Sequence, residues 1–265
     1  MLFRSYFDKF AFEDQIESCL KILDIKVYGD DEDVSSQFDI SQNGNLVRAE
    51  LKNPKDAEFY KKSVYKLKIK VKMNIPENAS KEQLDQLRKI WKEHGHYKET
   101  ENTITENNSA KTVIDEKNLP TNQVKTNIEG PKKTVSDQDE SKVIKNNVRD
   151  LGSNWTYSVT QKIAQNATEP YDSFVFRDEI EECMKINSVK VINDQGNDVS
   201  EWFDITTAGN HVVASLKDPK NNKDFYKNAA YTMEINVQMD IPTDVTEEQM
   251  QTLKETWEKH GHYSE

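Results

Sequence analysis

Four side chains of three types, a lysine, an asparagine and two aspartates, fall in phase with apolar residues in strand-like stretches. Asp14 is in phase with the phenylalanines of "FAFEDQI", and Asp178 takes the same place in "FVFRDEI". Lys133 in "PKKTVSD" and Asn108 in "TITENNSA" share parity with apolar neighbours in the same way. Because successive side chains of a strand point to opposite faces, all four are predicted to face an apolar interior.

Together these residue types can form an amide between two side chains. Left unpaired in an apolar interior, each polar group would cost several kcal/mol, on the order of 2–7. A lysine kept neutral by its surroundings is a nucleophile. Burial raises the pKa of an aspartate, and a protonated aspartate can polarise an asparagine and pass a proton to departing ammonia. Alternatively, these residues extend to solvent or pair at strand ends.

Two other residues compete for the same roles. Asn236 is an alternative acceptor, although its parity places it on the wet face of its strand and its counterpart in the repeat is Lys70. Lys162 is a second candidate nucleophile in place of Lys133. The parity pattern favours Lys133 and Asn108 as the pair.

The chain contains an internal repeat that places these residues in two copies of one module. "DVSSQFDI" returns as "DVSEWFDI", "GNLVRAELKNPK" as "GNHVVASLKDPK", and "WKEHGHYKE" as "WEKHGHYSE". The copies lie about 165 residues apart, a spacing typical of whole-domain duplication. We therefore expect two modules, residues 1–128 and 129–265.

Within each copy the hydrophobic period is mostly two. "YKLKIKVKM" and "YTMEINVQM" alternate apolar and polar residues, as half-buried strands with one wet face do. Ser80 with Gln83, and Thr246 with Gln249, form capping boxes at the start of one helix per copy. The sequence predicts an all-β fold of tandem Ig-like β-sandwich modules, each with one inserted α-helix.

Four of the five histidines lie in the repeated His-Gly-His segment, which raises the question of a metal site. His94 and His260 stand where the two helices end, each followed by a glycine suited to the helix stop, and His96 and His262 come next. Two histidines without a third nearby ligand make a poor metal site. We interpret the segment as a helix terminus that turns into a strand, and we expect no metal and no cofactor.

Composition excludes several functional classes. The chain has 265 residues and a net charge of −11, which argues against nucleic acid as a partner. No apolar run approaches the length of a membrane span, so no membrane insertion is expected in this segment. Two cysteines, Cys19 and Cys183, do not make a disulfide framework. We find no nucleophile elbow or phosphate loop, and an enzyme is therefore not expected beyond self-crosslinking.

Several short motifs, taken together with their order in the chain, resemble the isopeptide-forming domains of Gram-positive surface adhesins and fimbrial proteins. The motifs are "FDI" after "DVS", the F-x-F-x-D-x-I strand, "PKKTVSD", "WTYSV", "NSA" and "TNQVKT". Within this group the resemblance is to the C-terminal domains of the antigen I/II adhesins and to related backbone pilins. In that family a lysine on the first strand bonds to an asparagine on the last, assisted by an acid. The resemblance implies Lys133 as nucleophile, Asn108 as acceptor, and Asp14 and Asp178 as assisting acids.

The chain departs from the family pattern in which strands each module contains. Compared with the family pattern, the first module lacks its first strand and the second lacks its last, so neither module contains a full crosslink set. This reads as a fragment of a longer repeat protein. Alternatively, residues 102–128, 131–165 and 171–265 close as one circularly permuted domain that unites Lys133, Asp178 and Asn108.

The resemblance implies a structural stalk or adhesin module, stabilised in its parent protein by Lys–Asn isopeptide bonds. We expect an extracellular, cell-wall-attached protein whose signal and anchor lie outside this segment. Its partner would be a ligand on a host or neighbouring cell. An alternative function is a ligand-binding module for a host glycan or protein, for which Trp155 and Trp202 are candidate contacts if exposed.

Overall fold

The computed structural model describes residues 6–76, 79–148 and 150–261, and the chain divides into two compact units. Unit 1 comprises Met1–Glu129 and unit 2 comprises Gly130–Glu265. Apart from two α-helices and a few 3-10 turns, the regular elements of the described residues are β-strands, so the predicted all-β class is confirmed. The 3-10 turns are Ser35–Gln37, Phe59–Lys61, Glu99–Glu101, Ser200–Trp202 and Phe225–Lys227.

The strands of unit 1 form three sheets, and one helix lies between the sixth and seventh strands in the chain. Their bounds are β1 Phe10–Gln15, β2 Leu20–Gly29, β3 Glu32–Asp33, β4 Phe38–Asn43, β5 Leu46–Leu51, β6 Tyr65–Met73, α1 Lys81–Glu93, β7 Tyr97–Lys98, β8 Thr103–Asn108, β9 Ala110–Ile114, β10 Lys117–Pro120 and β11 Val124–Glu129. The sheet orders are β10-β9-β1-β5-β4, β11-β8-β7 and β3-β2-β6. Every strand pair is antiparallel.

Unit 2 repeats the central part of this pattern with different flanking strands. Its elements are β12 Lys132–Ser136, β13 Asn154–Lys162, β14 Val175–Glu179, β15 Met184–Asn193, β16 Phe203–Ala208, β17 His211–Leu216, β18 Ala230–Met239 and α2 Glu247–Lys259. They form the sheets β12-β13-β18-β15 and β14-β17-β16. The β15–β18 pair corresponds to β2–β6, and β14-β17-β16 corresponds to β1-β5-β4.

The core of each unit is built from the alternating apolar residues that the sequence indicates. In both copies an aromatic pair stacks at the start of the long strand, Phe59 on Tyr65 and Phe225 on Tyr231, each with ring centroids 4.3 Å apart. Tight hairpins join β4 to β5 and β16 to β17, and Gly44 and its counterpart Gly209 adopt φ of 58° there. Positive φ is strained for residues with a Cβ, which explains glycine at both positions.

The two helices confirm the predicted capping boxes. The side chain of Ser80 accepts a hydrogen bond from the backbone N–H of Gln83, and Oε1 of Gln83 accepts one from the backbone N–H of Ser80; Thr246 and Gln249 form the same pair of bonds. Trp91 and Trp257 are the buried anchors of the two helices. No helix within the described ranges is long and apolar enough to cross a membrane.

Candidate functional site

In unit 1 the structure brings Asp14 and Asn108 together. Asp14 lies on β1, where it pairs with Val47 of β5 and Ala110 of β9, and Asn108 ends β8. The Nδ2 of Asn108 donates a hydrogen bond of 3.1 Å to Oδ2 of Asp14. The other oxygen, Oδ1, is buried and accepts no hydrogen bond from the described residues. The carboxyl group of the predicted assisting acid and the side-chain amide of the predicted acceptor are thus in contact, as formation of an amide bond between side chains requires.

Burial has the expected effect on this carboxyl group. Desolvation raises the pKa of Asp14 above its ordinary value, and the hydrogen bond from Asn108 offsets part of that rise. A raised pKa favours the protonated carboxyl, which can donate a proton as well as accept one. The direction that the sequence predicted for this aspartate is therefore confirmed.

In unit 2 the structure brings Lys133 and Asp178 together. The Nζ of Lys133 lies 2.8 Å from Oδ1 and 2.7 Å from Oδ2 of Asp178. It also stands 4.7 Å from the ring centroid of Tyr157, a cation–π distance. Lys133 is paired with Val159 on β13, so it does face the apolar side of the sheet as its parity indicates.

The prediction that Lys133 is buried is wrong. Its side chain is 44% exposed, whereas that of Asp178 is 12% exposed. The reason is sheet position, because β12 is the outermost strand of its sheet and the lysine lies at its open edge. The alternative that these residues pair at strand ends therefore describes Lys133 and Asp178 as they stand.

Each unit holds one part of the predicted crosslink set. Unit 1 contains Asp14 with Asn108, and within the described residues no lysine forms an ion pair with that aspartate. Unit 2 contains Lys133 with Asp178, and in the part of the chain that is described no asparagine side chain hydrogen-bonds that pair. The module boundaries and the permuted closure remain predictions.

The competing residues occupy other places. Asn236 donates hydrogen bonds to the carbonyl oxygen of Trp155 and to Oγ1 of Thr156, at 3.3 and 3.2 Å, on the face of the sheet away from the core. Lys162 is exposed at the end of β13. Within the described part of the chain, the side-chain amide of Asn236 therefore donates to β13 and not to an acid.

One histidine of the repeated segment belongs to a polar cluster that sequence reasoning missed. The Nδ1 of His96 lies 3.5 Å from Oε2 of Glu106, and its Nε2 lies 3.8 Å from Oε2 of Glu17. The thiol of Cys19 donates a 2.9 Å hydrogen bond to Oε1 of Glu106, and burial raises the pKa of that thiol to about 12. No local signal marks Glu106, since it sits in a polar stretch that resembles a linker.

Glu17, His96 and Glu106 are metal-ligand residue types whose ligand atoms lie within 4.8 Å of one another. The two carboxylates, however, face opposite nitrogens of the imidazole, which is the geometry of a ring bridging two acids. His94 and His260 cap the ends of α1 and α2, as predicted. His262 lies outside the described residues.

The aromatic residues proposed as ligand contacts belong to the core. Trp155 is 6% exposed, and Trp202 is partly buried against the same core cluster. The ligand-binding alternative therefore loses the exposed tryptophans on which it depended.

Comparison with known proteins gives a family match. The family model described as "Cell surface antigen I/II C2 terminal domain" matches residues 131–263. A comparison with curated protein sequences finds no match.

Solved structures with a similar fold come from Gram-positive surface proteins. The C-terminal domain of the Streptococcus pyogenes antigen I/II-family protein AspA is 15% identical with a TM-score of 0.44, and the Streptococcus agalactiae AgI/II polypeptide BspA C-terminal domain is 19% identical with 0.40; each match covers 87% of this chain and 76% of the other. The Bacillus cereus major pilin subunit BcpA is 13% identical with a TM-score of 0.36, over 83% of this chain and 55% of its own.

Proposed function

Since this chain belongs to the family of cell surface antigen I/II C2 terminal domains, we propose that it is a structural stalk module stabilised by Lys–Asn isopeptide bonds. The module would stand outside a Gram-positive cell, in a protein attached to the cell wall. Its role is to keep a binding region at a distance from the surface under mechanical tension. The binding partner of the parent protein would lie on a host or neighbouring cell.

The proposed reaction joins a lysine to an asparagine without any external reagent. The neutral lysine Nζ attacks Cγ of the asparagine, the Nζ–Cγ bond forms, and the Cγ–Nδ2 bond breaks. The aspartic acid lends a proton to the departing nitrogen and regains one from the lysine, so ammonia leaves and the acid is unchanged. Asp14 and Asp178 would each serve as this acid in their own unit.

The contact between Asn108 and Asp14 is the observation that carries the proposal. An asparagine amide held 3.1 Å from a half-buried acid with a raised pKa is an acceptor with its proton donor already in place. The contact of Lys133 with Asp178 supplies the complementary half at the equivalent acid. The buried Oδ1 of Asp14, which accepts no hydrogen bond from the described residues, would be an unexplained cost if the carboxyl group had no chemical role.

A bond of this kind would stabilise the module by constraining its unfolded chain. Disulfides that close comparable loops contribute about 2–4 kcal/mol by that mechanism. With cysteines that are free thiols, the amide would be this protein's covalent staple.

The test is the intact mass of an extended chain. Residues 100–129 are appended after Glu265, so that the second HGHY segment is followed by a β8–β11 sequence with its own copy of Asn108. We expect the extended chain to weigh one ammonia less than its composition requires. Matched controls carry Lys133→Ala, or Asn→Ala in the appended copy, and should keep the full mass.

A folded extended chain with its full mass would contradict the crosslink. Circular dichroism checks that it is folded, and Asp178→Ala tests the acid, because its loss should slow ammonia release even though lysine and asparagine remain.

A further inference from the structure

The outer face of strands β2 and β6 in unit 1 carries a dense group of lysines. In the register of this strand pair, Lys21 lies opposite Lys72, and Lys26 lies opposite Lys68. Like charges directly opposite each other on one face destabilise a sheet. Six lysines make up this surface, which we call the lysine face: Lys21, Lys26, Lys66, Lys68, Lys70 and Lys72. A chain with a net charge of −11 thus gathers positive charge where its own sheet opposes it.

The lysine face is open to solvent along β6, where every lysine is exposed. Ion pairs are found at its β3 end, where Lys26 contacts Asp33 at 3.2 Å and Lys66 contacts Asp31 at 2.9 Å. Asp24 lies in the middle of the face. Exposed pairs of this kind contribute little stability, so an external anion can compete with these carboxylates for the lysines.

The fold itself does not require lysine at these positions. The repeat aligns the four lysines of β6 with four residues of β18, none of which is basic: Thr232, Glu234, Asn236 and Gln238. Those residues form regular strand pairs with β15 on the same face of unit 2. Alternation and solubility therefore call for a polar residue at each position, and the choice of lysine in unit 1 has a separate cause.

A strand that adjoins β6 would lie beside the lysine face and would not cover it. In unit 2, where β13 adjoins β18, the outward residues of β18 are all still partly exposed. Lys190, which the repeat aligns with Lys26, keeps 51% of its side chain exposed. Access to the lysine face is thus a property of the outer side of the sheet, whatever adjoins its edge.

The spacing of the lysines indicates which anions they suit. Alternate residues of a strand are about 6.8 Å apart, so the four lysines of β6 form a row of about 20 Å. Six backbone bonds separate such residues. A polymer with six bonds between phosphorus atoms, P–O–C–C–C–O–P, has nearly the same extended repeat, about 7 Å. An extended glycerol phosphate polymer can therefore place one phosphate at each lysine of the row.

We propose that the lysine face binds a linear polymer of glycerol phosphate, held along β6 by its phosphates. Lysine ammonium groups bind phosphate as point charges. At physiological ionic strength charges beyond about 8 Å are largely screened, so the local excess of lysine outweighs the negative net charge of the chain. This binding does not depend on the proposed isopeptide chemistry.

A nucleic acid has the same six-bond repeat between phosphates but fits the face less well. Sites for single strands stack the bases on aromatic side chains. Among the described outward residues of β2 and β6, the aromatic one is Tyr28, at the end of the face opposite Lys66. The face therefore offers ammonium groups for a backbone and almost no surface for bases.

Binding of a labelled oligomer tests the proposal. Poly(glycerol phosphate) long enough to span the row is titrated with the full chain and followed by fluorescence anisotropy at several salt concentrations. We expect saturable binding that Lys68→Gln with Lys72→Gln weakens at least roughly fivefold. The slope of log affinity against log salt should become shallower by about two, because two phosphate contacts are lost.

A matched variant controls for net charge. Lys52→Gln with Lys55→Gln removes two exposed lysines of unit 1 outside the face and should change the affinity by less than about twofold. Misfolding does not account for the expected loss at Lys68 and Lys72, because each change relieves a pair of like charges. Urea unfolding of the lysine-face variant should show a midpoint no lower than that of the wild type.

Two further probes identify the ligand. Poly(ribitol phosphate) places eight bonds between phosphates, about 9 Å when extended, so fewer phosphates meet the row and binding should be several-fold weaker. Oligothymidylate keeps the six-bond repeat and adds bases, and it should bind no more tightly than poly(glycerol phosphate).

Absence of saturable binding of poly(glycerol phosphate), or equal weakening by the lysine-face variant and its control, would overturn the proposal. Equal affinity for the glycerol and ribitol polymers would overturn the match of spacing on which the choice of polymer rests. Tighter binding of oligothymidylate would overturn it as well, since the face would then be a nucleic-acid site.

Discussion

The two units carry the same long strand in different surroundings. In β18 of unit 2, Met233, Ile235 and Val237 are fully buried. In β6 of unit 1 the equivalent Leu67 and Ile69 are only partly buried, and Val71 is 37% exposed. The residue types match, but among the described residues β18 has a neighbouring strand on both sides and β6 has one. Burial of a strand therefore depends on its neighbours at least as much as on its own sequence.

A second difference concerns polar groups at the other end of this strand. In unit 2, Asn193 donates to Oδ1 of buried Asn228 at 3.1 Å, and Asn228 in turn donates to the hydroxyl of Tyr231 at 2.7 Å. The repeat aligns Gly29 and Lys62 with the two asparagines in unit 1. There, a Cβ at Gly29 would lie 3.1 Å from Cγ of Lys62, so the lysine stem fills the space of the missing side chain. The buried hydrogen-bond network is a property of unit 2.

Truncating the central residue of the long strand should separate the units most strongly. We expect Ile235→Ala to lower the free energy of unfolding of unit 2 by about 2–5 kcal/mol, since a fully buried site loses both transfer energy and packing. The matched Ile69→Ala should cost unit 1 only about 1 kcal/mol, because part of the side chain already meets water. Hydrogen exchange of peptides from β18 and β6 in urea measures each unit separately.

Equal costs at the two positions would contradict this comparison.

The asparagine network gives a smaller expected effect. Asn228→Ala should destabilise unit 2 by about 1–3 kcal/mol, because it removes the buried hydrogen bonds that Asn228 accepts from Asn193 and donates to Tyr231. The matched Lys62→Ala in unit 1 removes a salt bridge with Glu32, and surface pairs of that kind contribute about 0–1 kcal/mol. Urea unfolding followed by tryptophan fluorescence suits unit 2, which holds Trp155, Trp202 and Trp257. An unchanged midpoint for Asn228→Ala would show that the network adds nothing to stability.

Local sequence patterns predicted the local features of this fold. Capping residues set both helix starts, since a cap acts within one turn. Alternation placed Asp14 and Asn108 on inward phases, and these two side chains meet. Parity works here because each strand is regular over the few residues concerned.

The features that local patterns missed depend on strands distant in sequence. The phase of Lys133 gives no information on whether β12 has a neighbour, and its edge position leaves the lysine exposed. Glu106 meets His96 and Cys19 only because β8, the turn before β2 and the segment after α1 converge. That β6 pairs with β2 alone among the described strands follows from sheet order, which a single strand's sequence does not encode.

The protonation of Asp14 provides the finest test of the difference between the units. Its folded-state pKa is raised above the ordinary 3.8 by burial, so protonation favours the folded state. The stabilisation of unit 1 from this group is fully present below the unfolded value and is lost as the pH rises through the folded pKa. We expect the wild-type unit to lose stability over that window, relative to Asp14→Asn, which does not titrate and should converge with the wild type at the acid end.

An NMR titration of the Asp14 carboxyl carbon measures the shift directly. Asn108→Ala should raise the pKa of Asp14 further, because the amide hydrogen bond is the interaction that lowers it. A pKa at or below 3.8 in the wild type would contradict the burial argument. A pKa that Asn108→Ala leaves unchanged would show that the 3.1 Å contact is not maintained in solution, and the acid and acceptor of unit 1 would then not be preassembled for amide formation.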